Sequence, residues 1–358
     1  MLLITLVWAG ATAAPAQIFT KFDAPGAGTG SGQGTFGGVI NATGTVAGYS
    51  ADSRTVLHGF VRATNGTITN FDAPGAGTGF LQGTVVRAMN AGGTIAGYSV
   101  DASDVSHGFV RATNGTITVF DAPGAGHATN QGTIVYGMNG SGVIVGVYYD
   151  SGTVRHGFGR LPNGTIMSVD APGAGTGKGE GTTLFGVNTT GVASGYTIDS
   201  GGVAHGLVRA TNGTFTIFDA PGAGTGLLQG TVAGNINDSG TIVGLYIDSG
   251  SATHGFVRAA NGTLTTFDAP GAGTGLGQGT AAYAINAAGI IAGTVEDQAG
   301  VSHGFGRNTN GAITEFNVPG AGTLLNQGTF SNGINTSITL TGEYIDQAGV
   351  SHGFFVVP

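Results

Sequence analysis

The chain has 358 residues, of which 72 are glycine, 10 are proline and none is cysteine, and its formal net charge at pH 7 is -8. This much glycine excludes a helical bundle, because each glycine costs a helix about 1 kcal/mol, and the 40% hydrophobic content excludes a disordered chain. With 11 basic residues against 19 acidic ones, a nucleic-acid partner is not expected. The absence of cysteine excludes disulfides and thiolate metal sites.

The first 16 residues differ in composition from the rest of the chain. Residues 2–12 form an apolar run, and Ala14-Pro15-Ala16 follows it as a small-x-small cleavage pattern. We therefore expect residues 1–16 to be a signal peptide and the protein to be secreted or periplasmic. A charged segment before the apolar run is missing, and the alternative is an apolar N-terminal strand. The run is too short to span a membrane, so no membrane span is expected.

Residues 17–358 are organised by a repeat of 49 residues without insertions. The motif Phe-Asp-Ala-Pro-Gly-Ala-Gly and its variants begin at Phe22, Phe71, Phe120, Val169, Phe218, Phe267 and Phe316. Gln-Gly-Thr, an isolated Asn and His-Gly-Phe recur at the same interval. Seven copies of a motif of this length are typical of a ring or an array of repeats.

Each repeat contains four short segments with strand character. In the second copy they are residues 84–90, 94–100, 107–112 and 116–120. Asn114-Gly115 favours a tight hairpin turn, and Pro123 ends strand pairing because proline donates no ladder hydrogen bond. Four antiparallel strands per 49-residue repeat predict an all-β fold, a seven-bladed β-propeller formed by residues 17–358 as one domain. A β-solenoid is the alternative, but its repeat is usually shorter.

The two ends of the domain complement each other. Residues 18–23 align with the fourth strand of the other copies, and the chain ends after a third strand, at residues 352–358. We therefore expect the N-terminal strand to complete the last blade and close the ring, which removes two open sheet edges.

Every repeat places an aspartate six residues before the histidine of its His-Gly-Phe motif. Such a pair can act as a general base or bind a metal, but seven copies around a ring indicate a structural device. We expect the aspartate to cap turn amides and the histidine to bond a backbone group, with no metal and no cofactor. The pairs are Asp52 and His58, Asp101 and His107, Asp150 and His156, Asp199 and His205, Asp248 and His254, Asp297 and His303, and Asp346 and His352.

The His-Gly-Phe-Val-Arg block, preceded by Ile-Asn-x-x-Gly-Thr-Ile-x-Gly-Tyr, resembles the bacterial extracellular repeats of the HAF family. Gly59 stands where that family has alanine, and Arg62 stands where it has tryptophan. The resemblance extends over all seven repeats and implies secretion and propeller-like repeats, without an activity. The arginine column that begins at Arg62 is expected to be solvated or to pair with an aspartate between blades.

Positions that depart from the repeat are the candidates for binding. The most variable strand column contains Gly38, Arg87, Tyr136, Phe185, Gly234, Tyr283 and Asn332. Its aromatic, arginine and amide members, Arg87, Tyr136, Phe185, Tyr283 and Asn332, suit a binding surface near the ring centre, although adaptive packing between blades would also explain them. On the face with the long Gly-rich loops, the candidates are His127, Gln82 and Gln131.

The function hypothesis is a secreted, non-catalytic binding or scaffold module for glycans or a cell-surface protein, acting as a monomer. The glycine-rich loops and the net charge favour neutral polyhydroxyl ligands on the long-loop face, and seven near-equal sites would provide multivalency. The alternative is an extracellular polysaccharide lyase or hydrolase with its site on that face. Catalysis needs groups in distinct roles, whereas near-identical repeats supply copies, so no catalytic residue is predicted.

Overall fold

The computed structural model describes residues 17–357, which form 28 β-strands and no α-helix. The signal-peptide prediction concerns residues 1–16, outside the described part of the chain. Within residues 17–357, no helix is long and apolar enough to cross a membrane. In the second repeat, the strands Gly83–Met89, Ile95–Val100, Ser106–Arg111 and Ile117–Phe120 agree within one residue with those predicted from sequence.

The strands in chain order are β1 (Ile18–Phe22), β2 (Gly34–Ile40), β3 (Val46–Ala51), β4 (Leu57–Arg62), β5 (Ile68–Phe71), β6 (Gly83–Met89), β7 (Ile95–Val100), β8 (Ser106–Arg111), β9 (Ile117–Phe120), β10 (Gly132–Met138), β11 (Ile144–Tyr149), β12 (Arg155–Arg160), β13 (Ile166–Val169), β14 (Gly181–Val187), β15 (Ala193–Ile198), β16 (Ala204–Arg209), β17 (Phe215–Phe218), β18 (Gly230–Ile236), β19 (Ile242–Ile247), β20 (Thr253–Arg258), β21 (Leu264–Phe267), β22 (Gly279–Ile285), β23 (Ile291–Glu296), β24 (Ser302–Arg307), β25 (Ile313–Phe316), β26 (Gly328–Ile334), β27 (Leu340–Ile345) and β28 (Ser351–Val357).

Antiparallel pairing arranges these strands into groups of four, such as β2–β3–β4–β5. The last group is β26–β27–β28–β1, in which Ile18 pairs with Val357 and Phe22 pairs with Gly353. Adjacent groups are joined by a single parallel pairing, such as Leu57 with Gly83. The first strand of each group lies beside the first strands of both neighbouring groups, and β26 lies beside β2. The fold is therefore an all-β, propeller-like closed ring in which β1 completes the last group.

The core lies in the seams between groups. Phe71, at the end of β5, sits against Gly59 of its own group and meets Phe109 of the next group edge to face, with ring centroids 6.0 Å apart. The phenylalanine of each His-Gly-Phe motif is completely buried, and Leu207 takes its place in the fourth copy. This contact explains why glycine follows the histidine: a Cβ on Gly59 would lie 2.7 Å from the Phe71 ring.

The arginine column belongs to the same seams. Arg111 lies over the ring of Phe71 at 4.8 Å, and Arg307 lies over Phe267 at 4.6 Å. The prediction that these arginines are solvated or paired with an aspartate is therefore wrong for Arg111 and Arg307. Their guanidinium groups instead stack on the phenylalanine of the preceding group as cation–π pairs. Half-burial against the ring lowers the pKa of Arg111 from its usual value.

Two polar devices tie the repeats together inside the ring. In every copy, the threonine of Gln-Gly-Thr is fully buried and its hydroxyl accepts the backbone N–H after the motif aspartate, as Thr84 does from Ala73 at 2.9 Å. At the end of the first strands, buried asparagine side chains donate to the asparagine backbone of the next group, as in Asn139 to Asn188 at 2.9 Å. Buried polar groups that are fully bonded in this way fix the spacing of the ring.

Substitution of Gly206 tests the seam. A Cβ at Gly206 would lie 2.6 Å from the ring of Phe218, which itself packs against Phe256. We expect Gly206→Ala to lower the free energy of unfolding by about 1–3 kcal/mol because of overpacking. Gly159→Ala is the matched control, since a Cβ there meets nothing within 4 Å, and we expect a change within about 0.5 kcal/mol. Urea denaturation of both variants measures the difference, and equal effects would contradict the seam.

Removal of β1 tests ring closure. A chain beginning at Ala24 lacks the strand that pairs with β28 and loses Phe22, whose ring meets Phe60 at 5.8 Å. We expect a lower melting temperature and a broader transition than in a chain beginning at Gln17, because one sheet edge and one seam are opened. Calorimetry of the two chains measures this, and identical transitions would show that β1 contributes nothing to the ring.

Candidate functional site

The Asp–His pairs form larger clusters than the sequence indicated. His107 Nδ1 lies 2.9 Å from Oδ1 of Asp121, the aspartate of the Phe-Asp-Ala-Pro motif, while its Nε2 lies 3.4 Å from Oδ2 of Asp101. The expectation that the histidine bonds a backbone group is therefore corrected, because the partners of His107 are two carboxylates, and those of His303 are one carboxylate and the side-chain amide of Asn317. The second acceptors are Asp72, Asp121, Asp170, Asp219, Asp268, Asn317 and Asp23, which serve His58, His107, His156, His205, His254, His303 and His352 respectively.

The first aspartate of each cluster binds turn amides as expected. Asp199 Oδ1 accepts the N–H groups of Gly201 at 2.8 Å and Val203 at 2.9 Å. The hydrogen bond from Val203, followed by that from Gly201, lowers the pKa of the Asp199 carboxyl, so the ionised form makes the cap. No cluster of three metal-ligating side chains suited to an ion occurs in residues 17–357. The same geometry in seven copies supports the structural role proposed for these pairs.

The glutamines proposed as ligand contacts are already engaged. Gln131 Oε1 accepts the N–H of Ala128, and its Nε2 donates to the carbonyl of Ser151 at 3.0 Å. Gln82 likewise accepts from Gly79 and donates to Asp104 at 2.8 Å. These bonds hold each long loop against the adjacent Asp–His turn. They favour a structural role for Gln82 and Gln131 over the predicted binding role.

The tips of the long loops are more apolar than the sequence analysis assumed. Leucine and phenylalanine side chains are exposed there, with Leu276 the most exposed at 85%. His127 also lies exposed on its loop. The hydrogen-bonding side chains expected to bind a ligand on the long-loop face therefore largely bond to other groups of the protein. The exposed apolar tips are Phe80, Leu81, Leu227, Leu228, Leu276, Leu324 and Leu325.

A cavity of about 610 Å³ lies between the first strands, at the centre of the ring. We call it the channel. It is lined by the middle and the C-terminal part of the first strands, such as 36–40 and 86–89, and by Tyr49, Gly244, Leu245 and Glu343 of the second strands. None of the long loops lines it, so the expectation that the site lies on the long-loop face is not supported by the cavity.

The variable column lies at a β-bulge of each first strand. The register slips between Val86 and Ala88, which leaves Arg87 unpaired, and the other six first strands have an irregularity at the same position, which in β18 includes Asn235 as well as Gly234. A bulge inserts a residue that has no partner in the ladder and redirects its side chain. Gly38, Arg87, Tyr136, Phe185, Gly234, Tyr283 and Asn332 consequently all line the channel, and the structure brings the five strand-column candidates together.

Aromatic side chains cover much of the channel wall. Phe36 stacks on Tyr49 with centroids 4.7 Å apart, and Tyr136 meets Phe185 at 4.5 Å. Burial raises the pKa of Tyr49 to about 12, so this phenol is neutral and offers a hydroxyl group at physiological pH. Tyr283 keeps 41% of its surface accessible. The wall therefore provides flat apolar faces together with uncharged hydrogen-bonding groups.

Two ionisable side chains of opposite type line the channel, Arg87 and Glu343. Burial raises the pKa of Glu343 to about 8, although the positive charge of Arg87 opposes the shift. Asn332 Nδ2 donates to Glu343 Oε2 at 2.6 Å and also to the carbonyl of Gly37 at 3.3 Å. Glu343 was missed from the sequence, although its column reads Tyr49, Tyr98, Val147, Tyr196, Leu245 and Thr294 in the other repeats, and an acid among these residues was a detectable departure.

No family model matches this sequence, and no curated protein matches it. Solved structures do share the fold. Virginiamycin B lyase from Staphylococcus aureus superposes with a TM-score of 0.59 at 12% identity, covering 96% of this chain and 100% of that chain. The lectin BP39L from Burkholderia pseudomallei gives 0.56 at 9% identity, covering 90% and 97%. At such identities the likeness establishes a propeller-like fold and leaves the ligand to the geometry of the site.

Protonation of Glu343 has a measurable consequence for stability. A carboxyl whose pKa rises on folding, here from 4.5 to about 8, holds its proton more tightly in the folded chain. Stability should therefore fall as the pH rises from about 4.5 to about 8. We expect Glu343→Gln to reduce this fall and to melt higher than the unaltered protein at pH 9.

Melting temperatures between pH 4.5 and 9 provide the measurement. Glu180→Gln is the control, because it removes one carboxylate from the long-loop face and restores the glutamine found there in the other six repeats. If Glu343→Gln does not change the pH dependence of the melting temperature, the folded protein does not hold the Glu343 carboxyl in its protonated form.

Proposed function

We propose that this protein is a seven-bladed β-propeller, with each four-stranded group as one blade, and that it is a non-catalytic binding module whose glycan ligand occupies the channel. The observation that carries this proposal is the coincidence of sequence variation and geometry. A strand position that varies among glycine, arginine, tyrosine, phenylalanine and asparagine is the bulge residue of all seven first strands, and all seven of these residues line one cavity.

The chemistry of the channel supports a ligand with both apolar faces and hydroxyl groups. Its volume of about 610 Å³ falls within the range of about 300–1,000 Å³ that is usual for ligand sites. Tyr136, Phe185 and Tyr283 present aromatic surface, and the tyrosine hydroxyls present neutral donors and acceptors. A pyranose ring offers the complementary pattern of C–H faces and equatorial hydroxyls. A cell-surface protein would bind through a wider surface than this cavity offers.

The proposed setting is outside the cytoplasm. The signal-peptide pattern at residues 1–16 and the resemblance to HAF-type extracellular repeats support secretion or a periplasmic location, where glycans are accessible. We propose a monomer, because closure of the ring by β1 pairs the sheet edges within one chain. A lectin shares this fold, so a glycan ligand is compatible with the scaffold.

One observation favours an enzyme as the second candidate. Glu343 combines a raised pKa with a place in the channel, which is the property of a general acid. In an extracellular lyase or hydrolase, protonated Glu343 would donate to the leaving oxygen of a polysaccharide. Incubation of the protein with a bound glycan, followed by product analysis, distinguishes the two functions: cleavage that is lost in Glu343→Gln supports the enzyme.

Binding is tested with two exposed residues of contrasting location. A glycan array identifies the ligand, and calorimetry compares Tyr283→Ala, in the channel, with Leu276→Ala, on a loop tip. We expect Tyr283→Ala to weaken binding by about 5- to 30-fold, equivalent to about 1–2 kcal/mol of lost aromatic contact, and Leu276→Ala to leave it unchanged. Loss of binding in Leu276→Ala alone would move the site to the long-loop face, and silence across the array would refute the glycan proposal.

A further inference from the structure

The negative charge of the protein is unevenly distributed over the ring. The seven turn-capping aspartates and the six motif aspartates account for most of the 19 acidic residues, and all of them lie in the Asp–His clusters at the long-loop end. The net charge of -8 is therefore concentrated there. The channel is lined by the other part of the first strands, where this negative charge is absent from the wall.

Arg87 is the cation of the channel wall. It projects from a bulge, so no ladder partner restrains it, and its guanidinium lies 5.7 Å from the ring centroid of Tyr98. None of the ion pairs found within residues 17–357 includes Arg87. Arg111 and most of its repeat equivalents stack on phenylalanine in the seams, Arg54 pairs with an aspartate, and Arg155 contacts Tyr149 and Tyr196 outside the channel lining. A guanidinium in a cavity without a carboxylate partner is a recognition group for an anion.

Between Arg87 and Glu343 the row of bulge side chains has a gap, beside which Phe36 and Tyr49 line the channel. The bulge residue of the intervening strand β2 is Gly38, which contributes no side chain. On the far side of this gap, Asn332 fixes the Glu343 carboxyl through the bond to Oε2. A ligand group placed over Gly38 would therefore meet a cation on one side and an anchored carboxyl group on the other.

We propose that this part of the channel is a carboxylate subsite, in which Arg87 binds the acid group of a sugar acid such as a uronate while the aromatic wall holds its ring. This inference rests on the proposed glycan-binding function and narrows it to the acidic glycans. It replaces the expectation, drawn from the net charge, that the ligand is neutral. A guanidinium binds a carboxylate through two parallel N–H···O bonds, which gives it geometric as well as electrostatic preference for this group.

The protonation of Glu343 is consistent with this arrangement. The charged and titratable groups around it are Arg87 on β6, Tyr49 on β3 and Tyr283 on β22, with Glu296 of β23 near Tyr283. Burial keeps the pKa of Glu343 at about 8, so at pH 7 the protonated carboxyl offers a donor to a ligand anion. Above pH 8 its ionised form repels that anion.

The test compares one sugar in two charge states. Calorimetry at pH 7 measures the binding of a galacturonate trisaccharide and of its methyl ester, which has the same rings without the charge. We expect the acid to bind at least tenfold more tightly than the ester. Arg87→Gln should abolish this preference, whereas Arg54→Gln, which removes a cation from the exposed long-loop face, should preserve it. Thermal unfolding confirms that the variants fold.

A second measurement is independent of Arg87. Binding of the acid to the unaltered protein should weaken as the pH rises from 7 to 9, and Glu343→Gln should remove this dependence. Equal binding of acid and ester, or an acid preference that survives in Arg87→Gln, overturns the carboxylate subsite and leaves the glycan-binding function in place. Binding of a triglycine carboxylate as tight as that of the trisaccharide overturns the sugar as ligand. Failure of every acidic and neutral sugar to bind refutes both proposals.

Discussion

The ring depends on one repeated packing contact, a phenylalanine held between a glycine of its own group and a buried side chain of the next. Phe71 occupies the space that a Cβ on Gly59 would fill, and it meets Phe109 across the seam. A single group cannot bury this ring alone, so each group is stabilised by its neighbour. The contact recurs at 49-residue intervals in six of the seven seams, with Val169 and Leu207 in the remaining one, and the pairing of β1 with β28 supplies Phe22 for the seam that would otherwise be open. The constancy of the repeat follows from the constancy of this seam.

The strands, their antiparallel order and the pairing of the chain ends could be predicted because they depend on local signals. Asn-Gly turns and proline stops mark strand ends, and the missing fourth strand was visible in the sequence. The second acid of each histidine could have been deduced as well: Gly59 pairs with Phe71, so the preceding His58 lies beside the following Asp72. The stacking of Arg111 on Phe71 could not, since it joins two repeats and depends on how the groups face each other.

The bulge explains why the side chains of this strand column can differ widely in size and polarity among the repeats. A bulge residue has no ladder partner, so strand register does not restrict its side chain. The column was interpreted either as a binding surface or as adaptive packing, and each interpretation applies to some of its residues. Asn332 donates to the carbonyl of Gly37 in the neighbouring group, which is adaptive packing, whereas Arg87 and the accessible part of Tyr283 face the channel. The sequence identified the column, and only the backbone irregularity shows where it points.

A ring of near-identical repeats can present either several equivalent sites or one unique site. Equivalent sites are formed by the same residues in each repeat, whereas a unique site combines residues that differ between repeats. The long-loop face is repetitive, and its glutamines and aspartates are consumed by the loops and turns that they hold. The channel is formed once per chain, from seven bulge residues of five types, and it combines Arg87, Glu343 and Gly38 on neighbouring strands. Discrimination between ligands requires such unlike groups at fixed positions. Repetition in this protein therefore builds the scaffold, while the proposed binding site uses the residues at which the repeat is broken, and each ring has one such channel.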